Sequence, residues 1–251
     1  MFWFQGKYNS WAEALSNAKG YSDLAIFEKV KNSVMKVKTG EAIFERDSVA
    51  FDKQEFAYPL SLYLFYASTA LQNELTVLDF GGSLGSSYFQ NRALFSCLKQ
   101  IRWHVIEQDH FVEFGKNELE SKQLQFSNDF NTLLFDSNYR IALFSASLQY
   151  IETWRQLLED ISKSEIEFLI LDRIPILKQS QNTIITVQHV PSYIYEASYP
   201  CYLFNQYELE ELVLDSFDKV FELPGMDNLK LKGIEVQYKS VLYRRKKAEK
   251  F

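Results

Sequence analysis

The chain has 251 residues, of which 47% are hydrophobic and 24% charged, as in an ordinary globular protein with one sizeable core. Its formal net charge of −6 argues against a nonspecific nucleic-acid binder, because phosphate contacts need a basic surface. Cys97 and Cys201 form no CxxC pair and no secretory leader is recognised, so we expect no disulfide framework, no metal site and a cytoplasmic protein. The most apolar segment, residues 58–71, is too short for a transmembrane span.

Helical signals dominate the start of the chain. Ser10 followed by Glu13 predicts a capping box, and Ser22 precedes an amphipathic apolar stripe that stops at Gly40. A further helix is predicted over about residues 58–72. Two helices and a loop are therefore expected in about the first fifty residues, and residues 1–74 form a predicted N-terminal helical extension.

From Leu75 onward the pattern alternates between strands and helices, which predicts an α/β fold with a mostly parallel sheet. The last two predicted strands are separated by Pro224-Gly225 and a polar loop, so they are expected to form an antiparallel hairpin. Residues 75–251 are then one Rossmann-like domain with a seven-stranded sheet. The predicted strands cover residues 75–80, 102–107, 124–126, 140–145, 167–172, 217–223 and 234–243.

The most informative stretch is Val77-Leu78-Asp79-Phe80-Gly81-Gly82-Ser83-Leu84-Gly85, an apolar strand that runs through an acid into a glycine turn. Glycines let a backbone approach a nucleotide-like ligand closely, and the next helix begins with free N–H groups. A second apolar strand ends at Glu107, 22 residues past Gly85, where a βαβ unit delivers an acid to a ribose diol.

Nicotinamide dinucleotides and S-adenosylmethionine both use this arrangement. A dinucleotide turn usually reads G-x-G-x-x-G, whereas the order here is Asp-x-Gly-Gly-x-x-Gly. An acid directly before the turn repels a pyrophosphate but attracts the ammonium of a methionine moiety. The turn therefore favours S-adenosylmethionine, with S-adenosylhomocysteine as product; a turn that merely links strand to helix is the alternative.

The chain resembles bacterial class I methyltransferases, in particular a branch found among surface-polysaccharide genes. The likeness covers nearly the whole chain. It is carried in order by Trp3 with Gly6 and Trp11, Glu45-Arg46-Asp47-Ser48, the glycine turn, Ser147-Leu148-Gln149-Tyr150-Ile151, Leu171-Asp172-Arg173-Ile174-Pro175, Gln188-His189-Val190-Pro191 and Tyr195-Glu196-Ala197-Ser198-Tyr199-Pro200.

This resemblance implies the seven-stranded fold with its terminal hairpin, and an N-terminal extension that lies over the cofactor and shapes the acceptor pocket. The alternative is a helical cap that only covers the sheet. The resemblance alone implies the acceptor, a sugar hydroxyl on a nucleotide-linked or lipid-linked glycan. Peripheral membrane contact through the basic run Arg244-Arg245-Lys246-Lys247 competes with a solvated terminus.

Ligands of open α/β sheets bind at the carboxyl ends of the strands, where this sequence carries several polar residues. Ordinary turn formation or helix capping is the alternative for the polar loop residues among them. The predicted cofactor-binding residues are Asp79, Gly81, Gly82, Gly85, Glu107, Gln108, Asn128, Asp129, Ser145 and Ser147.

The acceptor side is predicted from the later strands. Asp172 and Arg173 are read as a catalytic acid and a substrate clamp, or as a buried ion pair. His189, placed in a loop, is a candidate general base because imidazole titrates near neutral pH, with a backbone-bonded structural role as the alternative. Tyr195 and Tyr199 are candidate sugar platforms unless they only pack against the extension.

Two other functions stay open at this point. A noncatalytic relative could retain the fold as a binding or scaffolding module, although the acidic glycine turn and Glu107 count against it. A nicotinamide-dependent oxidoreductase is disfavoured by the Gly-Gly turn and the edge hairpin. The sequence gives no oligomeric state.

Overall fold

The computed structural model describes residues 3–18, 24–46, 48–178, 182–190, 197–231 and 234–247. Within these ranges the helices are α1 Trp11–Ser16, α2 Leu24–Thr39, α3 Tyr58–Ala70, α4 Ser86–Asn91, α5 Asp109–Glu118, α6 Phe130–Leu134, α7 Trp154–Lys163 and α8 Gln206–Val213. The strands are β1 Trp3–Tyr8, β2 Phe44–Arg46, β3 Val49–Phe51, β4 Glu74–Phe80, β5 Gln100–Ile106, β6 Leu124–Ser127, β7 Ile141–Ser145, β8 Phe168–Leu177, β9 Ile184–Val190, β10 Ala197–Leu203, β11 Phe217–Leu231 and β12 Ile234–Arg245.

The main sheet has seven strands in the order β11-β12-β8-β7-β4-β5-β6. The pairs from β6 to β8 are parallel, while β12 runs antiparallel to both β8 and β11. The predicted α/β fold, with its mostly parallel seven-stranded sheet and its terminal hairpin, is confirmed. The alternation of strands and helices in the sequence predicts this fold, because each crossover helix buries an apolar face on the sheet.

Helices cover both faces of the main sheet and enclose two apolar cores. On one face α2, α3 and α5 contribute Val34, Leu64 and Phe111, which pack with the strand residues Val77 and Val105. On the other face α7 and α8 pack against the opposite sides of the same strands. The N-terminal extension therefore forms part of the core of the α/β body.

The start and end signals of the first helices agree with the structure where it can be compared. The Ser10 hydroxyl caps α1 by accepting a hydrogen bond from the Glu13 N–H at 3.1 Å, and the Glu13 carboxylate accepts from the Asn9 N–H at 2.9 Å. Gly40 follows α2 with a φ of +81°, the left-handed conformation that favours glycine after a helix. The predicted cap at Ser22 lies outside the described residues.

The first fifty residues are not two helices and a loop, as the sequence suggested. Strand β1 and the hairpin β2–β3 are also present, and β1 pairs antiparallel with β9, about 180 residues further along the chain. Local periodicity does not reveal such a pairing, because the partner is distant in sequence. Together β1, β9 and β10 form a separate three-stranded sheet.

The three-stranded sheet packs beside an extension of β8. The predicted strand ended at Asp172, but β8 continues to Leu177 and stays paired with β12. Leu177 packs with Phe4 of β1 and Cys201 of β10, and a bridge joins Ile176 to Phe204. The three-stranded sheet therefore stands next to the carboxyl edge of the parallel strands.

The basic run at the end of β12 lies at the opposite edge. The Arg244 guanidinium donates to Glu167 at 2.9 Å, and Arg245 donates to the backbone oxygens of Ile166, Ser162 and Ile161. The two arginines thus hold the strand in place, and contact of this run with lipid stays a prediction. No helix in the described part of the chain is long and apolar enough to cross a membrane.

Helix α5 approaches the sheet closely at one glycine. A Cβ on Gly115 would lie 2.5 Å from ring atoms of Phe126 in β6. Gly115→Ala should therefore lower the free energy of unfolding by about 1–3 kcal/mol, although alanine favours a helix over glycine by about 1 kcal/mol. The exposed residue Asn117 on the same helix provides the control, since Asn117→Ala should cost nothing in urea denaturation. Equal stability of the two variants would contradict the tight contact.

Candidate active site

The candidate site lies at the carboxyl edge of the main sheet, where the order of the strands reverses. Strand β4 is flanked by β5 on one side and β7 on the other, so the chain leaves the centre of the sheet in opposite directions. The crevice outside such a point is where open α/β sheets bind ligands. The predicted residues Asp79, Glu107 and Ser145 belong to the ends of these three strands or directly follow them.

The glycine turn packs tightly on its neighbours. Gly81 and Gly85 have φ values of +67° and +87°, in the left-handed region that glycine adopts without strain. A Cβ on Gly82 would lie 2.5 Å from the Asp79 Cγ, and a Cβ on Gly81 would lie 2.7 Å from the Ser147 Cβ. The first two glycines are therefore required by the packing of the turn on Asp79 and on the segment after β7.

Asp79 is completely buried under this turn. Its Oδ2 accepts a hydrogen bond from the indole Nε1 of Trp103 at 2.9 Å, while its Oδ1 has no hydrogen-bond partner among the described residues. Burial raises the pKa of Asp79 to about 7. The Trp103 hydrogen bond acts in the opposite direction, while the negative charges of Glu107 and Asp172 add to the rise. A cationic ligand or a hydrogen-bond donor near Oδ1 would stabilise the ionised form.

Glu107 follows β5 and contacts the same turn. Its Oε1 accepts from the Ser83 N–H at 3.3 Å, and its Oε2 accepts from the Gln108 N–H at 2.9 Å. Burial raises the pKa of Glu107 to about 6, although the side chain keeps some exposure to solvent. Each carboxylate oxygen keeps a lone pair for a further donor, which suits the hydroxyls of a diol.

Asn128 and Asp129 follow β6 next to Glu107 and are exposed. The Asn128 Nδ2 donates to Asp109 at 2.6 Å, and the Asp129 carboxylate caps α6 by accepting from the Thr132 N–H at 3.1 Å. Hydrogen bonds from the Thr132 side chain and from its backbone N–H lower the pKa of Asp129. The capping alternative is thus present in the structure, and contact of these two residues with an adenine edge stays a prediction.

The ends of β7 and β8 meet in a buried polar cluster around Asp172. Its Oδ1 accepts from the Ser240 hydroxyl at 2.6 Å, and its Oδ2 accepts from the Ser145 hydroxyl at 2.7 Å. The Arg173 Nε lies 3.5 Å from Oδ2, which is the ion pair that the sequence left open as an alternative. Because two hydroxyls and a guanidinium already contact the carboxylate, Asp172 is held rigidly, and its catalytic role stays a prediction.

A bulge shapes this cluster. Asp172 and Arg173 together oppose Ser240 on β12, and Arg173 has a φ of +54°. Two residues opposite one is the pattern of a β-bulge, which re-aims side chains near sites. The bulge explains why the parallel pairing of β8 with β7 ends at Asp172 while its pairing with β12 continues. Substrate binding by Arg173 stays a prediction.

His189 is in strand β9 and not in a loop as predicted. It is paired with Ser198 of β10, and Gln188 is paired with Tyr199. Neighbouring residues of a strand point to opposite faces, so His189 and Tyr199 lie on different faces of the three-stranded sheet. Burial lowers the pKa of His189, which keeps the imidazole neutral at pH 7. Tyr195, the other predicted platform, lies outside the described residues.

The face that carries Tyr199 contacts the segment after β7. The Tyr150 hydroxyl donates to the Gln188 Oε1 at 2.8 Å, and the Tyr150 and Tyr199 rings meet edge to face with centroids 5.0 Å apart. Tyr150 lies three residues after Ser147, which in turn donates a hydrogen bond to the Phe80 backbone oxygen. The glycine turn and the three-stranded sheet are therefore linked through a 3₁₀ turn, Leu148–Tyr150.

Sequence reasoning gave no role to Glu45 or Trp103. Glu45 in β2 is 1% exposed; it accepts hydrogen bonds from the Ser86 hydroxyl at the start of α4 and from the Ser48 N–H at 3.3 Å. An acid between Phe44 and Arg46 was a weak signal. Trp103 was the stronger one, because a buried indole N–H requires an acceptor and the adjacent strand carries Asp79.

The raised pKa of Asp79 predicts a dependence of stability on pH. The pKa of Asp79 is about 7 in the folded chain, against an ordinary value of 3.8, so folding favours the protonated form. The contribution of this form to the free energy of unfolding is lost as the pH rises towards 7. Between pH 5 and pH 8 the wild type should lose about 2–3 kcal/mol of unfolding free energy relative to Asp79→Asn. Urea denaturation of both proteins at the two pH values measures this difference. A constant difference would show that Asp79 is ionised throughout.

No family model matches the chain, and no curated protein matches it in sequence. Solved structures match it in fold. The N-terminal domain of EvdMO1, crystallised in the presence of S-adenosylhomocysteine and D-fucose, has a TM-score of 0.53 at 11% identity and covers 91% of this chain and 100% of its own.

Two further structures are similar. An S-adenosylmethionine-dependent methyltransferase from Clostridium acetobutylicum has a TM-score of 0.50 at 11% identity over 86% of this chain and 98% of its own. Magnesium protoporphyrin IX methyltransferase from Synechocystis, with bound S-adenosylmethionine, has a TM-score of 0.50 at 12% identity over 90% of this chain and 100% of its own. Identities this low show the fold alone, and the chain has the fold of S-adenosylmethionine-dependent methyltransferases.

Proposed function

We propose that the chain is an S-adenosylmethionine-dependent methyltransferase that acts on a hydroxyl of a sugar or glycan precursor. The observation that carries this proposal is the pair of acids at the glycine turn. Asp79 lies under the turn with one unused carboxylate oxygen, and Glu107 contacts the turn from the next strand. Both lie at the reversal point of a fold shared with methyltransferases.

The residues present fit the cofactor. The Asp79 carboxylate would hold the ammonium of the methionine part, and Glu107 would accept hydrogen bonds from the ribose hydroxyls, which places Gly81, Gly82 and Gly85 along the ligand between them. Gln108, Asn128 and Asp129 would surround the adenine, while Ser145 and Ser147 would line the methionine end. When bound, S-adenosylmethionine supplies a methyl group on a sulfonium that is ready for displacement.

The acceptor is proposed to be a nucleotide-linked or lipid-linked glycan precursor of a bacterial surface polysaccharide, methylated in the cytoplasm. The resemblance to a branch found among polysaccharide genes supports this class. The edge-to-face rings of Tyr150 and the buried Tyr199 support it as well, because aromatic faces are common platforms for sugar rings. The similar EvdMO1 domain was crystallised with D-fucose, a sugar.

The N-terminal extension, residues 1–74, is proposed to help close the site. Hairpin β2–β3 is fastened to α4, the helix that follows the glycine turn, through the buried Glu45 and the Ser86 hydroxyl. A shift of the glycine turn on ligand binding would therefore also move the hairpin. This contact supports a role in closing the site beyond covering the sheet.

Glu107→Ala should weaken the binding of S-adenosylhomocysteine at least tenfold. Removing a charge-assisted hydrogen bond to a ribose costs roughly 1.5–3 kcal/mol, which corresponds to this factor or more. Isothermal titration calorimetry measures the affinity. Glu113→Ala is the matched control, because Glu113 is an exposed glutamate on the following helix and its loss should leave binding unchanged.

Unchanged affinity in folded Glu107→Ala protein would remove the ribose assignment. Gly81→Val is a poorer test of cofactor binding, since its side chain would clash with Ser147. Loss of binding in that variant could therefore come from distortion of the fold.

His189 is proposed as the general base that accepts the hydroxyl proton, with Asp172 as the second candidate. His189→Gln should keep its affinity for S-adenosylhomocysteine, while methyl transfer to a sugar acceptor found by screening should fall by about 10²–10⁴. The wild-type rate should also decrease at pH values below the pKa of His189, because the protonated ring cannot accept a proton. Burial lowers this pKa from its usual value.

His110→Gln provides the control for this test, because His110 is on α5 near Phe27 and away from the acceptor side. Near-normal turnover of His189→Gln would assign the imidazole a structural role, in keeping with its position on the face opposite Tyr199. The proton would then pass to Asp172.

A further inference from the structure

Gln149 has an unusual environment for an amide. It is 1% exposed, and its Oε1 has no hydrogen-bond partner in the ranges that the structure describes. A buried amide oxygen without a donor is destabilising, because it has lost its water and gained nothing in return. Other buried glutamines of the chain are satisfied: the Gln90 Nε2 donates to the Glu55 backbone oxygen at 2.7 Å, and the Gln188 Oε1 accepts from Tyr150 at 2.8 Å.

The position of Gln149 in the fold connects this oxygen with the candidate site. Gln149 is the middle residue of the 3₁₀ turn that follows Ser147. Ser147 lies against the glycine turn, since its Cβ is 2.7 Å from where a Cβ of Gly81 would be. Tyr150, on the other side of Gln149, is bonded to Gln188 in the three-stranded sheet.

The backbone of Gln149 therefore lies in the seam between the glycine turn and the edge-to-face pair of Tyr150 and Tyr199. The orphaned oxygen of Asp79 belongs to the first side of this seam. Of the four buried side-chain atoms without a partner in the described ranges, Asp79 Oδ1 and Gln149 Oε1 belong to segments that meet at the glycine turn, whereas His104 Nε2 and Arg140 Nε do not. Donors supplied by bound molecules would satisfy the first two.

We propose that the side-chain carbonyl of Gln149 is a ligand-binding group, which accepts a hydrogen bond from an O–H or N–H of a molecule bound in the seam. This inference rests on the proposed methyltransferase function and assigns a residue to it. The donor is either a hydroxyl of the sugar acceptor or the ammonium of the cofactor. Because the oxygen is sealed from solvent in the ligand-free chain, the seam must open for the ligand to reach it.

The proposal has a consequence that needs no ligand. Methionine has nearly the shape of glutamine and no amide, so Gln149→Met should remove the unsatisfied oxygen and raise the Tm of the ligand-free protein by about 2–4 °C. Gln90→Met is the matched control and should lower the Tm, since it removes the 2.7 Å hydrogen bond to the Glu55 backbone oxygen and leaves that oxygen only the longer bond from Gln54 at 3.4 Å. A residue that serves a ligand at the expense of stability gives this opposite pair of shifts.

Binding then identifies the source of the donor. Calorimetry of wild type and Gln149→Met is carried out with S-adenosylhomocysteine, and with D-fucose added to the S-adenosylhomocysteine complex. A fall of about tenfold or more in S-adenosylhomocysteine affinity identifies the cofactor ammonium. Unchanged S-adenosylhomocysteine affinity with about tenfold weaker D-fucose binding identifies the acceptor hydroxyl.

The proposal is overturned if Gln149→Met lowers the Tm as Gln90→Met does, because the amide is then structurally satisfied. It is equally overturned if the variant is stabilised but binds both probes as the wild type does, or if D-fucose binds neither protein and S-adenosylhomocysteine binds both alike. Failure of the proposed function is a separate result, in which the wild type itself does not bind S-adenosylhomocysteine.

Discussion

The site depends on one constraint, a carboxylate buried directly beneath a glycine turn. Asp79 is inaccessible to solvent and, among the residues that the structure describes, accepts one hydrogen bond, from Trp103. The turn can lie on this carboxylate because Gly82 carries no Cβ, and it can meet the segment after β7 because Gly81 carries none. The glycines therefore fix the distance between a buried negative group and the backbone over which a ligand would pass.

The same carboxylate connects stability with function. Burial makes the ionised form of Asp79 costly, as its raised pKa shows, and a bound cation would remove part of that cost. The Gln149 carbonyl, which has no partner among the described residues, would likewise be stabilised by a donor from a bound molecule. Polar groups left unsatisfied in a ligand-free chain are typical of functional sites, where local consistency is given up for binding. Asp172, at the end of the parallel part of β8, is by contrast bonded by two serine hydroxyls.

The main sheet could be predicted from the sequence because its strands are apolar, short and separated by helical segments, a strictly local pattern. Strand β1 and its partner β9 could not be predicted, since their pairing joins segments about 180 residues apart and neither strand is strongly periodic. For the same reason His189 was expected in a loop. The bulge at Arg173 was invisible too, because it arises from the pairing of β8 with β12. The acids Asp79 and Glu107 were found because a fixed spacing brings them to neighbouring strand ends.

Binding of the cofactor is the claim on which the other assignments rest, and direct titration of the wild-type chain tests it. S-adenosylhomocysteine and NAD are each titrated into the protein by calorimetry at pH 8, where Asp79 is ionised. The account predicts saturable binding of S-adenosylhomocysteine and none of NAD. Binding of NAD in its place, or of neither compound, would contradict it.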